Sequence, residues 1–391
     1  MPKLATDKTC TGCFACKDAC KHGAISVVIK EGHLYPHVDT HSCVECRACE
    51  RTCPVVNPIA VMNEIKPRVY GGWAIDSEVR RSAASGGAFS ALALHILNKG
   101  GWAVGASLEE NDVVRHIAIN RKEDLSLLQK SKYVQSNACK SYIKTRDLLK
   151  NGERVIYSGT PCQVAGLNNF LRHKYDNLIT VEVVCNGVPS LVPVDLFKRE
   201  NQARRIISFR GKKYGWNSLF SQGLEWENSD GLFMEPLQTK DIFYQVFGCG
   251  LTHRQACCNC RFACMPRQAD ITLADFWGIK RFPEEWKDGI SLIIANSEKA
   301  ERYLHECSEE LHLFNSSMEE CLACNPRLVN GRKYHSWHPV MKWPNYVRKI
   351  VGRKQYEAII TNKMPWKLLW GILKIFTISS NKKAIKKYFR Q

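Results

Sequence analysis

Residues 10–20 read CTGCFACKDAC, and residues 43–54 read CVECRACERTCP. Each stretch holds four cysteines separated by gaps of two, two and three residues, and Pro54 follows the second. This spacing is typical of bacterial ferredoxins with two 4Fe-4S clusters, in which the fourth cysteine of each run binds the other cluster. We therefore expect a ferredoxin-like domain over residues 1–60, with a small hairpin between the runs. The fourth cysteine of each run is expected at the start of a short helix.

The crossed pattern assigns four thiolates to each cluster. The ligands predicted for one cluster are Cys10, Cys13, Cys16 and Cys53, and those for the other are Cys20, Cys43, Cys46 and Cys49. The alternative metal is zinc, which also binds C-x2-C pairs but takes only four ligands in a closed tetrahedral site. Eight cysteines in two matching runs favour iron–sulfur clusters.

The composition indicates a globular protein of a reducing compartment. The 391 residues are 45% apolar and include 19 cysteines. Disulfide frameworks belong mainly to short secreted domains, and the opening MPKLATDKTC has no apolar segment typical of a secretory signal. The predicted location is therefore the cytoplasm.

The net charge of +18 is concentrated at the end of the chain. Residues 331–391 contain 15 Lys and Arg but a single acidic residue, Glu357. Within this basic tail residues 366–378 are mostly apolar, which is too short for a membrane span of ~20 residues. The tail is predicted to be helical, either lying peripherally on an anionic membrane or docked on the protein's own core. No nucleic-acid partner is expected, because the basicity belongs to this tail and no phosphate-loop signature occurs.

Between the two ends, strand-like and helix-like segments alternate, which predicts an α/β domain with a substantially parallel sheet. Cys162 and Cys185 each follow a predicted strand, at the edge where open α/β sheets bind ligands. Cys257 and Cys260 form another C-x2-C pair, and together these four thiols predict a third 4Fe-4S cluster. A nucleophilic role for Cys162 is the alternative, although no acid or histidine can be placed beside it. Cys258 and Cys264 lie beside the C-x2-C pair, whereas the cysteines expected to pack are Cys139, Cys249, Cys307, Cys321 and Cys324.

Six motifs, in this order, carry a resemblance to a known family: SGGAFSALALHIL, SKYVQS, SGTPCQVAGL, CNGVPS, FRGKKYGW and CCNCRFACMPRQADITLADFWG. Together with the cysteine runs they resemble the beta-subunit family of coenzyme F-420 (deazaflavin) hydrogenases and dehydrogenases, over roughly residues 1–330. The resemblance implies an α/β fold that binds FAD and a 4Fe-4S cluster. The family domain would have an N-terminal part over residues 68–150 and a C-terminal part over 151–330.

Carried over by position, the resemblance implies two groups of site residues. Those expected about the flavin are Ser85, Gly86, Gly87, Lys132, Tyr133, Gln135 and Ser136, and those expected on the third cluster are Cys162, Cys185, Cys257 and Cys260. The sequence departs from the family pattern at Asn186 and Ala274, and Cys258 and Cys264 are additional. These departures leave open the exact ligand set and the use of the deazaflavin.

The predicted function is that of an iron–sulfur flavoprotein oxidoreductase. Single electrons would enter the ferredoxin-type clusters from a redox partner such as a ferredoxin or a reductase, and FAD would deliver pairs to the deazaflavin or another small organic substrate. The alternative is a non-catalytic ferredoxin-type subunit that docks on a partner enzyme. The two hypotheses differ in whether the chain itself binds flavin.

Overall fold

The computed structural model describes residues 1–59, 66–216, 223–234, 243–244, 247, 252–323, 325 and 328. The basic tail over 331–391, with its predicted helix and membrane contact, lies outside the described residues, as do Cys249 and Cys324. No helix in the described ranges combines the length and apolar character needed to cross a bilayer.

The N-terminal segment contains the predicted hairpin between two short helices. Its elements are α1 (Ala15–Asp18), β1 (Ile25–Lys30), β2 (His33–Val38) and α2 (Ala48–Thr52), and β1 and β2 are antiparallel. The expectation that the fourth cysteine begins a helix is wrong. Cys20 and Cys53 come just after α1 and α2, because each helix already contains the third cysteine of its run, Cys16 or Cys49.

In the described part of the chain the body is built on a nine-stranded sheet and a separate three-stranded one. The strands of the body are β3 (Arg68–Ala74), β4 (Trp102–Leu108), β5 (Val114–Ile119), β6 (Ser136–Asn137), β7 (Val155–Gly159), β8 (Leu178–Val183), β9 (Ala203–Ser208), β10 (Glu225–Asn228), β11 (Phe233–Met234), β12 (Ile271–Asp275), β13 (Ser291–Ala295) and β14 (Leu311–Ser316). The large sheet has the order β14-β3-β13-β12-β8-β7-β4-β5-β6, and the small one has the order β11-β10-β9.

The helices of the body fall mostly between the strands. They are α3 (Ser77–Arg81), α4 (Ala88–Asn98), α5 (Ser141–Lys150), α6 (Pro161–Leu171), α7 (Val192–Asn201), α8 (Glu298–Glu306) and α9 (Met318–Leu322). Short 3-10 helices cover Lys122–Leu127, Gln255–Asn259 and Pro283–Lys287.

The large sheet is mixed, so the expected parallel arrangement holds only in its centre and at one edge pair. β4, β7, β8 and β12 are mutually parallel neighbours, and β5 pairs with β6 in the same sense. β13, β3 and β14 are antiparallel to their neighbours, as is β5 to β4. Only a short connection joins β4 to β5, and a short connection cannot make the long crossover that parallel neighbours require.

Both faces of the sheet are covered by helices. Along β7, Ile156 joins the core formed with α4 and α8, whereas Val155 and Tyr157 join the core formed with α5 and α6. This alternation follows from the two-residue period of a strand. Because both faces are buried, the central strands are almost continuously apolar, as in SLIIA of β13.

The N-terminal segment packs against α5 and α6. Tyr142 on α5 donates a hydrogen bond of 2.7 Å to the Cys13 carbonyl, and Asp18 accepts one of 2.7 Å from the Lys140 amide. A side chain at Gly166 on α6 would lie 3.2 Å from Cys13 Sγ. The first cysteine run is therefore seated directly on the body of the protein.

Candidate redox centre

Two small cavities in the N-terminal segment are each lined by four cysteines. Cys10, Cys13, Cys16 and Cys53 line one cavity, together with apolar walls that include Leu4, Phe14 and Pro36. Cys20, Cys43, Cys46 and Cys49 line the other. The structure thus places the fourth cysteine of each run with the first three of the other run, as the ferredoxin spacing predicts. We call these cavities the first-run site and the second-run site.

The chemistry of both donor sets fits an iron–sulfur cubane. Burial raises the pKa of the Cys13 thiol to about 12. Burial also raises the pKa of Cys16, and the thiols of Cys13 and Cys10 raise it further. Without metal such thiols are neutral, and iron binds them as thiolates with release of their protons.

The two cysteine sites differ in their access to solvent. Cys46 of the second-run site is exposed, whereas Cys10, Cys13 and Cys16 of the first-run site are buried. Thr11 lines both the first-run site and the large cavity described next. The second-run site therefore faces the surface and the first-run site faces the interior.

The large cavity has a volume of about 580 Å³ and lies where the central strands end. Its lining includes Gly159 of β7, Val183 of β8 and Asp275 of β12, which are the last residues of those strands. The carboxyl edge of the parallel strands is the expected ligand site of an open α/β sheet. The volume is that of a typical site for a cofactor or a small molecule, about 300–1,000 Å³.

Six of the seven residues predicted to contact a flavin line this cavity. They are Ser85, Gly87, Lys132, Tyr133, Gln135 and Ser136. The seventh, Gly86, faces the sheet, since a Cβ atom there would lie 2.6 Å from the Ser291 amide nitrogen. Gly86 thus allows its loop to lie flat on β13.

The loop before α4 presents a helix N-terminus to the cavity. Gly87 precedes α4 with a φ of 81°, and Ala88, Phe89 and Ser90 of the first turn line the cavity. Lys212 stabilises this loop, because its Nζ donates hydrogen bonds to the carbonyls of Ser85 (2.8 Å) and two other residues. Free amide groups at a helix N-terminus attract phosphate groups.

Lys132 provides a titratable cation in the cavity wall. Its Nζ donates to the carbonyls of Gln129 (2.6 Å) and Leu127 (3.3 Å). Burial lowers the pKa of Lys132 to about 7, and the positive charge of Lys130 acts in the same direction. An anionic ligand in the cavity would stabilise the charged form of Lys132.

His116 is a cavity residue that sequence reasoning missed. Its Nε2 donates to the Ser158 carbonyl at 3.1 Å, so its Nδ1 accepts from the Ser136 hydroxyl at 2.7 Å. Burial lowers the pKa of His116 to about 4, so the ring is neutral near pH 7. The available signal was a histidine inside the strand-like stretch VVRHIAIN.

A second group of missed residues joins two of the motifs quoted above. Arg210 and Trp216, both from FRGKKYGW, donate to the two carboxylate oxygens of Asp275 at 2.8 and 2.7 Å. Trp277 stacks on Trp216 with ring centroids 4.7 Å apart, and Trp277 and Asp275 line the cavity. The two motifs thus form one aromatic and charged wall of the cavity, which their sequences alone did not reveal.

The four cysteines predicted for a third cluster come together beside this cavity. Cys162 lies in the first turn of α6, Cys185 follows β8, and both line the cavity. Burial raises the pKa of Cys162, and the thiols of Cys185 and Cys257 raise it further. Burial also raises the pKa of Cys260 to about 12, with contributions from Cys162 and Cys185.

This third group of thiols is also close to the first-run site. The Cys13 thiol contributes to the raised pKa of Cys162, after burial. The additional cysteines of the same segment face elsewhere, since Cys258 Sγ contacts the Arg254 carbonyl and Cys264 Sγ the Arg261 carbonyl. Cys307 and Cys321 are fully buried in the core, as the packing interpretation expects.

Within the described ranges no three His, Cys, Asp or Glu side chains are grouped so that they could hold a single metal ion. A cubane is bound through four separate irons, so its thiolates stand farther apart than the ligands of one ion.

Two segments of the chain match known protein families. Residues 9–57 match the 4Fe-4S dicluster domain, and residues 152–320 match the family described as the C terminus of the coenzyme F420 hydrogenase/dehydrogenase beta subunit. Among solved structures, a chain of the xenon-derivatised F420-reducing NiFe hydrogenase complex from Methanosarcina barkeri is similar, with 12% identity and a TM-score of 0.46. The similarity covers 68% of this chain and 90% of that chain. No curated protein is significantly similar in sequence.

Proposed function

We propose that this chain is an iron–sulfur flavoprotein oxidoreductase, because residues 152–320 match the C terminus of the coenzyme F420 hydrogenase/dehydrogenase beta-subunit family and residues 9–57 match a 4Fe-4S dicluster domain. In this proposal it takes single electrons from a redox protein, such as a ferredoxin or a reductase, and reduces a two-electron acceptor. The acceptor is the deazaflavin coenzyme or another small organic molecule.

The observation that carries the proposal is the order of the sites. The exposed Cys46 places the second-run site at the surface, and Thr11 is shared by the first-run site and the large cavity. Cys162 and Cys185 line the same cavity. Electrons that arrive at the second-run site would therefore have a continuous series of thiol-lined sites leading to the cavity.

The large cavity is the proposed FAD site. FAD supplies the conversion between single electrons and electron pairs. The N-terminus of α4 and Lys132 would hold anionic groups of the cofactor. Trp277 and Tyr133 offer aromatic surface to a planar ring, and the neutral His116 offers no charge to it.

The proposal is tested on full-length protein purified without oxygen. We expect iron and acid-labile sulfide together with about one FAD per chain, released on denaturation and identified by chromatography. Ser131→Trp, which places an indole in the cavity wall, should reduce the FAD content severalfold. Ser82→Trp, on the exposed end of α3, is the matched control and should retain FAD.

Two results would contradict the proposal. Protein that contains clusters but no flavin, and takes none up when FAD is added, would instead be the non-catalytic electron-transfer subunit. Equal FAD contents in the two tryptophan variants would place the flavin outside this cavity.

A further inference from the structure

Arg254 is fully buried against the first-run site. Its Nε donates to the Cys10 carbonyl at 2.7 Å, and one terminal nitrogen lies 3.7 Å from Cys10 Sγ. The other terminal nitrogen donates to the Leu34 carbonyl at 2.9 Å and to Gln135 Oε1 at 3.1 Å. Its guanidinium carbon lies 3.8 Å from the centre of the Tyr35 ring. The guanidinium is thus enclosed by the first-run loop, the hairpin and the cavity wall.

The charge of Arg254 has no carboxylate partner in the described part of the chain. Its hydrogen-bond acceptors are uncharged oxygens and the Cys10 sulfur. The ring face of Tyr35 offsets only part of the cost of burying a cation. Arg267, by contrast, is equally buried but is paired with Glu182. A buried charge is normally paired or lies beside a metal centre, so the missing negative charge of Arg254 has to come from its surroundings.

We propose that Arg254 is the counter-charge of the cluster held by Cys10, Cys13, Cys16 and Cys53, and that its guanidinium raises the reduction potential of this cluster. The inference rests on the iron–sulfur part of the proposed function and not on its flavin part. A cluster bound by four thiolates is negatively charged and becomes more so on reduction. A fixed cation beside one ligand therefore favours the reduced form, because net charge and hydrogen bonds to sulfur set cluster potentials.

Arg254 is also linked by hydrogen bonds to the third group of thiols and to the wall of the large cavity, so it is a positioning residue. Its carbonyl accepts a hydrogen bond of 2.9 Å from the Cys257 amide, at the start of the third group of thiols. Gln135, its acceptor, lines the large cavity. The positive charge of Arg254 thus acts at the junction of the first-run site, the third thiol group and the cavity.

The experiment is a one-electron redox titration of full-length protein purified without oxygen, in which the reduced clusters are monitored by electron paramagnetic resonance. The signal of the first-run cluster is identified by its loss in Cys53→Ser. Arg254→Met removes the charge, Arg254→Lys keeps it, and Gln135→Met removes the neighbouring hydrogen bonds without a change of charge. We expect Arg254→Met to lower the equilibrium constant for reduction at least tenfold, which is about 59 mV for one electron. Arg254→Lys and Gln135→Met should each change it less than threefold.

Other results would also support or overturn the assignment of Arg254 as the counter-charge. An unchanged potential in Arg254→Met, or an equal shift in Gln135→Met, would overturn the assignment. If Arg254→Met fails to hold the cluster, retention in Arg254→Lys supports the counter-charge, whereas loss in both variants overturns it. Wild-type protein with clusters but no FAD would contradict the flavin proposal and leave this inference standing. Wild-type protein with no iron–sulfur signal would overturn both.

Discussion

Glu182 and Arg267 form an ion pair in which neither side chain is exposed to solvent. Glu182 lies on β8, three residues before Cys185, and Arg267 follows the segment that carries Cys260 and also donates to the Ala263 carbonyl at 2.7 Å. The carboxylate accepts a further hydrogen bond from Thr272 of β12 at 3.1 Å. The pair therefore joins two of the three segments that supply the third group of thiols, those of Cys185 and Cys260.

Replacement of Glu182 by leucine is expected to destabilise the protein by about 3–5 kcal/mol, because it leaves Arg267 buried without a partner. Thermal unfolding under anaerobic conditions measures this, and iron analysis should show loss from the third site. The double variant Glu182→Leu/Arg267→Met should melt above the single variant. Glu320→Gln breaks a half-exposed pair with Arg281 and should cost no more than about 1 kcal/mol. Equal melting of Glu182→Leu and Glu320→Gln would contradict the expectation.

Serine substitutions would distinguish the proposed third cluster from the two ferredoxin clusters. Cys162→Ser, Cys185→Ser, Cys257→Ser and Cys260→Ser should each reduce the iron content from about twelve to about eight per chain, since one cubane of three is lost. Cys258→Ser and Cys264→Ser are matched controls from the same segment, whose sulfurs contact backbone carbonyls. Loss of iron in a control, or its full retention in all four ligand variants, would refute the ligand set.

Gly12 and Gly23 allow backbone strain to be distinguished from contact. Both have a left-handed φ, +70° and +69°, but a Cβ at Gly12 would lie 2.3 Å from Gln135 Nε2, whereas Gly23 has open space around it. Gly23→Ala should cost only the conformational strain of about 1–2 kcal/mol. Gly12→Ala should in addition displace Gln135 and Arg254, and release cluster iron to a chelator at least tenfold faster. Equal rates of iron release from both variants would exclude a special role for the Gly12 contact.

The binding of FAD should weaken as the pH rises through about 7. The pKa of Lys132 is lowered to about 7, so this lysine is charged below that pH and neutral above it. Anionic groups of FAD favour the charged form, and we expect an affinity about tenfold lower at pH ~8 than at pH ~6, equivalent to about 1.4 kcal/mol. Fluorescence titration of flavin-depleted protein measures this.

Two variants at the same position provide the controls for the pH effect. Lys132→Arg should bind tightly across the range, because arginine stays charged, and Lys132→Met should bind weakly throughout. The pKa of Lys212 is also lowered to about 7, but Lys212 does not line the cavity. An unchanged pH dependence in Lys132→Met would therefore assign the effect to another group.

The cysteine arrangement of the N-terminal segment could be predicted because its information is local. Eight thiols within 44 residues have few ways to surround two cubanes, and the spacing selects among them. Even so, the position of the short helices was predicted wrongly. The sequence spacing relates Cys20 and Cys53 to the other cysteines, but it does not indicate where a four- or five-residue helix begins.

The large cavity could be predicted only in part, because it is assembled from segments that are distant in sequence. Ser85, Lys132 and Cys162 were recognised through motifs, yet the wall formed by Arg210, Asp275 and Trp277 depends on hydrogen bonds between two of those motifs. Gly86 faces β13 and does not line the cavity, and a glycine-rich turn does not reveal in advance which glycine faces which side. The membrane contact of the tail and the choice of acceptor remain predictions from sequence.

The hydrogen bonds of Tyr142 with Cys13 and of Lys140 with Asp18 hold the N-terminal segment on the body of the protein. This attachment has a kinetic consequence. A ferredoxin that diffuses must collide with its acceptor, so its transfer rate depends on concentration and on ionic strength. In the proposed function carrier and acceptor share one folded body, so their exchange would be a unimolecular event that depends on neither variable. Dilution or added salt would slow only the encounter at the outer face of the molecule, around Cys46.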